Sequence, residues 1–592
     1  MSQADSVNAE EESSLGGASR FQNAPAHGPT VSLLTRRHVL AMLGGLGVTS
    51  TVLARSLAAQ VAESGTLTRD MIRQAEWIAD LELTDDQRDK LADDLQKSLR
   101  DLARIRAVPC DADVPPATVF RPDFFAEPEA EERLRAARSP SVPATPITSV
   151  QRQSSPAPSD PTEIAFASVL DQAAWLAAGE LSSVELTELY LQRLERADST
   201  LHCIVTLLSE TAIEQARVSD ARRSRGQSLG LLDGIPWVAK DLIAVPPFKT
   251  TWGAEPYRDQ VRPNLATVAA RLQNAGGVLL AKVSLGALAW GDIWYGGTTR
   301  NPWNPDQGSS GSSAGTASSV SAGLASYGIG SETLGSIVSP CIRCRVTGLR
   351  PSYGRISRYG CMPLAWSFDK LGPIARRVDD LAVIFSHLIG PDGHDPTVVD
   401  RPFEWPQRRP LAELKVGTVG EKLTAVEKQV LDWLVEQGAT HVRMKLPTRF
   451  PLSAMTVMLN VEATTMFDDI LRSDKDADLG LWPESFRKGQ FISAVHYLRA
   501  SRLRTMLVAE TEQTLRAVDV LLGADDLTLT NLSGHPSLIV ALGSETFSDG
   551  QAARPATVKL TAALYREATL LSVGQAAQTA FPPLPNRPPK FS

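Results

Sequence analysis

The spacing of apolar residues changes at definite points along the chain, and those changes divide it. Residues 1–34 have no apolar period, are rich in Gly, Ser and Ala, and carry Glu10, Glu11 and Glu12 in a row, so they cannot build a core and read as a disordered lead. Between 68 and 106 the spacing turns helical. Met71, Ala75 and Ile78 mark a first helix, and Thr84-Asp85-Asp86-Gln87 is a capping box opening a second, along which Leu91, Leu95, Leu99, Leu102 and Ile105 form one stripe. Such a stripe needs a surface to cover it, so a helical hairpin within an extension at 60–138 is expected to pack on a partner surface. At 139–161 six prolines among Ser, Thr and Ala exclude a helix and predict an extended linker.

The globular pattern resumes near Ile164 and continues nearly to the end, giving a main domain at 162–592. Ser182-Ser183-Val184-Glu185 caps a helix carrying Leu186, Leu189 and Tyr190. Ile235 to Ile243 is a short apolar, β-prone run that places Lys240 where a strand should be buried. Desolvation lowers a lysine from its reference pKa of about 10.4, which makes Lys240 a candidate general base. Asp241 need not restore the charge, because successive strand residues face opposite sides. Downstream, the dense Gly/Ser loop Gly308 to Gly315 leads into a small-residue helix, and Gly330 to Pro340 follows as a second serine-rich turn. Two such turns flanking one helix can bring hydroxyls together.

Composition narrows the chemistry. The chain is 43% hydrophobic and 21% charged, as globular proteins are, and its net charge of -7 with pI near 5.8 leaves no basic footprint for nucleic acid. Of five cysteines only Cys341 and Cys344 form a C-x-x-C pair, with no second pair to complete a zinc site, so packed reduced thiols are expected. No motif asks for a metal or an organic cofactor. Thr35-Arg36-Arg37-His38-Val39-Leu40, the apolar stretch to Ala54 and the small residues to Ala59 look like a twin-arginine signal at 35–59. That predicts use of the export machinery and a periplasmic or otherwise exported protein; a basic cap on a soluble helix is the alternative, with a cytoplasmic location.

Taken together, Lys240 in its apolar run, Ser312 in the first serine-rich turn and Ser336 in the second resemble the amidase signature family over most of 164–580. Further blocks agree at Gly348 to Ser357, Asp369 to Arg376 and Asn531 to Pro536. The resemblance implies an α/β fold in which helices cover a mixed β-sheet, here with an N-terminal helical extension. It implies cleavage of a carboxamide C–N bond in a small-molecule amide, with Ser336 as nucleophile, Lys240 as base and Ser312 as a bridging serine held by a cis peptide bond. Backbone N–H groups of Thr333, Leu334, Gly335 and Ser336 would form the oxyanion hole, and a homodimer is possible. Trp77 to Thr84, and on to Val114-Pro115, is similar to the small helical subunit that wraps the amidase subunit of tRNA-dependent amidotransferases; a plain hairpin packing on the main domain fits equally.

Two positions depart from the family pattern. Leu334 replaces a glycine and, as a leucine, tolerates positive φ poorly; Val338 replaces a common arginine. An altered oxyanion turn, a different acyl pocket or lost activity would follow. Other readings compete locally. Gly311-Ser312-Ser313-Ala314-Gly315 fits the G-x-S-x-G elbow, with Ser313 as nucleophile, and Ser367-Phe368-Asp369-Lys370 fits S-x-x-K without its companion motifs. His535 reads as a turn residue. Trp290, Trp294, Tyr295 and Trp303 either line an acyl pocket or pack in the core. At the level of the whole protein, the alternatives are the glutamine-hydrolysing subunit of an amidotransferase and a binding protein that kept the fold and lost turnover.

Overall fold

The computed structural model describes residues 66–109, 117–118, 146–148, 155–407, 409–420, 422–473, 479–545, 554–583 and 587–591. The expected disordered lead, the twin-arginine segment and much of the linker lie outside the described residues. What is described belongs to one unit, Thr66–Ser592. Among the described residues, no helix is long and apolar enough to cross a membrane.

The extension forms two helices, α1 (Arg69–Ala75) and α2 (Asp85–Ala107). The capping box is present: Thr84 Oγ1 accepts the Gln87 N–H at 3.3 Å and Gln87 Oε1 accepts the Thr84 N–H at 2.8 Å. Leu91, Leu95, Leu102 and Ile105 are buried, while Leu99 is only partly so. The stripe packs on helices of the main domain, Leu452–Met455, Trp482–Gln490 and Ala494–Leu515. Ile78, expected on the first stripe, is instead 44% exposed. The chain tightens there into a 3-10 turn, Glu76–Ile78, and three residues per turn rotate Ile78 off the face that buries Met71, Ile72 and Ala75.

Pro161, placed in the linker by composition, starts a helix (Pro161–Phe166) capped by Asp160, whose carboxylate accepts the Thr162 N–H at 2.8 Å. Proline at the first helical position loses no hydrogen bond the helix would have made. Helix α3 (Ser183–Leu201) then opens on the second predicted capping box.

An eleven-stranded sheet forms the centre. Its strands, in chain order, are β1 (Ile204–Leu207), β2 (Pro236–Lys240), β3 (Val278–Val283), β4 (Tyr327–Glu332), β5 (Thr347–Arg350), β6 (Lys370–Ala375), β7 (Lys415–Val419), β8 (Thr440–Met444), β9 (Val520–Leu522), β10 (Ser537–Glu545) and β11 (Arg554–Thr561). Across the sheet they run β1-β3-β2-β4-β6-β5-β10-β11-β9-β7-β8. The sheet is mixed: β2 is parallel to both β3 and β4, β6 is antiparallel to β4, and β7 is parallel to β8 and β9. Every residue of β2, β3, β4, β5 and β6 is buried, as expected where helices cover both faces of a sheet. Helices α4 (Ala314–Ser321) and α5 (Val338–Cys344) flank β4, and α6 (Trp482–Gln490) and α7 (Ala494–Leu515) lie under the extension.

Candidate active site

Lys240 is the last residue of β2, and Ser331 stands near the end of its parallel neighbour β4. In open α/β sheets, ligands bind beyond the carboxyl ends of such strands. The side chain of Lys240 is fully buried among hydroxyls: Nζ lies 2.8 Å from Ser312 Oγ, 2.8 Å from Ser331 Oγ and 3.2 Å from Ser313 Oγ. Burial pushes its pKa down to about 7, and the carboxylates of Asp369 and Glu332 pull it back only in part. Asp241, one residue on, points away and takes a 2.6 Å ion pair from Lys282, as strand alternation predicts.

The Gly311–Ser312 peptide is cis. The turn carrying Ser336 meets this loop directly, since the Ser313 N–H donates to the Ser336 carbonyl at 3.0 Å. Positive φ in that turn falls on Gly335, at 106°, and Leu334 does not take it. The strain expected at Leu334 is therefore absent, because the following glycine supplies the left-handed residue. Val338 is buried in an apolar cluster with Ile337, Cys341 and Cys344. The thiols of Cys341 and Cys344 are free, and burial raises both.

Behind the turn sits a carboxylate that the residue pattern did not single out. Glu332 accepts the Ile337 and Val338 N–H groups at 2.8 and 2.9 Å, so it anchors the start of α5 just beyond Ser336. Its other oxygen takes Arg350 Nη1 and Asn531 Nδ2, each at 2.8 Å. Burial alone would raise this carboxyl, but Arg350, Lys370 and the Val338 N–H outweigh it and hold it at about 2. Thr333 is fixed in parallel, its hydroxyl donating to Asp369 Oδ1 at 2.6 Å. The only sequence signal was the resemblance of the Arg350 and Asn531 blocks.

The competing local readings fare differently. The Ser313 hydroxyl is fully buried and already occupied, donating to Ser331 O at 3.0 Å and accepting the Ser331 N–H at 3.1 Å. Ser367 is tied to Glu462 and Arg504, and Lys370 Nζ is buried without a hydrogen-bond partner. His535 is buried between Ser533 Oγ at 2.8 Å and Glu512 Oε2 at 3.0 Å, a structural turn residue.

A cavity of 770 Å³ opens beside Ser331 and Thr333, lined also by Leu242, Tyr353, Tyr359, Met362, Trp366 and Tyr497. These aromatics come from two distant stretches of sequence, 353–366 and Tyr497. Of the four aromatics read as either pocket wall or core, Trp290, Trp294 and Tyr295 line a different cavity with Leu479 and Leu481, and Trp303 packs in the core with its indole N–H 3.1 Å from Cys344 O.

The family profile described as Amidase matches residues 185–537, more than half of the chain. The chain belongs to the amidase family. As an amidase it is a hydrolase of carbon–nitrogen bonds. It is 32% identical over 481 residues to a glutamyl-tRNA(Gln) amidotransferase subunit from Chloroflexus aurantiacus, covering 70% of this chain and 97% of that protein. Among solved structures it is similar to the native peptide amidase from Stenotrophomonas maltophilia, at 28% identity and TM-score 0.65, covering 73% of this amidase and all of that chain. The 6-aminohexanoate cyclic dimer hydrolase shares the fold, at 21% identity and TM-score 0.63, with 72% of this chain and 99% of that one covered.

Proposed function

We propose that this amidase cleaves small-molecule carboxamides through an acyl-enzyme on Ser336. Neutral Lys240 takes a proton from Ser312, Ser312 takes one from Ser336, and the Ser336 oxygen attacks the amide carbon. N–H groups of Thr333, Leu334, Gly335 and Ser336 receive the developing oxyanion, where each well-placed donor is worth a few kcal/mol. The C–N bond breaks, the amine leaves with the proton held at Lys240, and water then releases the acid and restores Ser336. The observation that carries this reading is a buried lysine with a pKa near 7 lying 2.8 Å from Ser312 Oγ. A neutral lysine has one lone pair and two N–H groups, so it can accept from Ser312 while donating to Ser331.

The experiment is intact mass after treatment with an ethyl fluorophosphonate, comparing wild type with Ser336→Ala and Ser313→Ala. Label lost only in Ser336→Ala supports the mechanism; an unlabelled wild type favours a binding protein, and loss only in Ser313→Ala overturns the assignment. A second reading, the glutamine-hydrolysing component of an amidotransferase, is favoured by the 32% identity to such proteins. We also propose export through the segment at 35–59; cell fractionation separates the two, because a periplasmic protein cannot serve a cytoplasmic tRNA-dependent complex. Dimerisation is read by sedimentation.

A further inference from the structure

The amidase match begins at residue 185, yet the wall of the cavity beside Ser331 and Thr333 includes Ala117 and Thr118 from the N-terminal extension. Helix α7 accounts for this placement. Tyr497, Ser501 and Arg504 are spaced four and three residues apart and share one helix face. Tyr497 lines the cavity, its hydroxyl donating to Glu462 at 3.0 Å. Arg504 grips the cavity residue Ser367 through its carbonyl and hydroxyl oxygens, both at 2.7 Å. Between them, Ser501 holds the extension: its carbonyl and hydroxyl oxygens accept the Ala117 N–H at 3.2 and 2.9 Å. The same helix fixes the end of α2, with Arg106 Nη1 2.7 Å from His496 Nε2 and Arg499 donating to the Arg106 carbonyl at 3.2 Å.

We infer that Ala117 and Thr118 are a specificity element of this amidase, limiting the size of the apolar group that a substrate carries into the cavity; the inference rests on Ser336 being the acylated residue. The remaining wall contains Tyr353, Met362 and Trp366. Arg358, Asp369, His394, Asp395 and Glu462 also line it, but most of the surface it exposes is apolar, so it accepts an extended apolar group such as an arylalkyl chain. The extension thus belongs to substrate recognition as well as to packing.

The test compares two fluorophosphonates on the full-length protein, one ethyl and one phenylbutyl, and reads the ratio of their rates of Ser336 labelling by intact mass. Thr118→Trp, which adds bulk at an exposed position on the cavity rim, is expected to lower the phenylbutyl-to-ethyl ratio about tenfold, the scale of discrimination set by a few carbons in an apolar site. Ala117→Pro deletes the N–H that Ser501 accepts and is expected to raise the ratio. A general loss of structure slows both probes alike and leaves the ratio unmoved. A ratio that stays within about twofold of wild type while the ethyl probe labels both variants at the wild-type rate overturns the inference. A wild type that neither probe labels overturns the Ser336 reading beneath it.

Discussion

Lys240 offers the sharpest test of the mechanism. An ordinary lysine, at 10.5, is neutral in only about one molecule in three thousand at pH 7, whereas a pKa of about 7 leaves half neutral, a gain on the order of a thousandfold in usable base. The assay is the rate of Ser336 labelling by the ethyl fluorophosphonate from roughly pH 5 to 10. Below neutrality the rate should rise about tenfold per pH unit and then level off above pH 7 to 8, reporting the loss of the Lys240 proton. Lys240→Ala removes the base, and Lys240→Arg keeps the charge but cannot release its proton; both should fall by about a hundredfold to ten-thousandfold. Stability carries the same signature with its own sign. The unfolded lysine holds its proton up to 10.5 and the folded one only to about 7, so the unfolded chain binds more protons in that window and stability rises with pH across it. The cost of the buried charge is present in full below 7. Lys240→Met should therefore be more stable than the parent at pH 6, by thermal melting, with an advantage that shrinks as pH rises toward 10.5. A labelling rate that is flat with pH, or an arginine variant that labels at the parental rate, would refute the reasoning.

The surrounding contacts set further outcomes. Arg350→Met leaves Glu332 buried without its cation and should cost about 3 to 5 kcal/mol in urea denaturation. Glu332 sits at about 2 when folded against an ordinary 4.5, so its contribution is present above 4.5 and is lost as pH falls toward 2; acid unfolding of Arg350→Met should accordingly begin at higher pH. Gly335→Ala puts a Cβ at a φ of 106°, 3.0 Å from Leu527 and 3.1 Å from Ser339 Oγ, and should lower stability by about 1 to 3 kcal/mol while slowing Ser336 labelling. Ser312→Ala should slow labelling about a hundredfold or more with little change in melting temperature, whereas Ser313→Ala should chiefly lower the melting temperature, because its hydroxyl is committed to the backbone of Ser331.

Local hydrogen-bonding chemistry was legible without any fold. The capping boxes at Thr84/Gln87 and Ser182/Glu185 appear as the residue pattern predicts, because both partners lie within one turn. The burial of Lys240 was legible from the apolar run around it, and the turning away of Asp241 from strand alternation alone. The spacing rule failed at Ile78, where three residues of 3-10 helix break the α-helical period.

What only the tertiary structure decided involves residues far apart in the chain. The sequence by itself determined that a lysine would be buried on a strand and that serine-rich turns would flank a helix, since those are properties of contiguous residues. It could not determine that Arg350 and Asn531 meet on Glu332, separated by 18 and 199 positions, nor that Ala117 reaches Ser501 across 384. Nor could it decide which aromatics line the cavity: Tyr353, Trp366 and Tyr497 do, whereas Trp303 packs in the core. Which side chains share a wall depends on the order in which strands and helices pack, and that order is set by the summed burial of the whole core rather than by the pattern of any one segment.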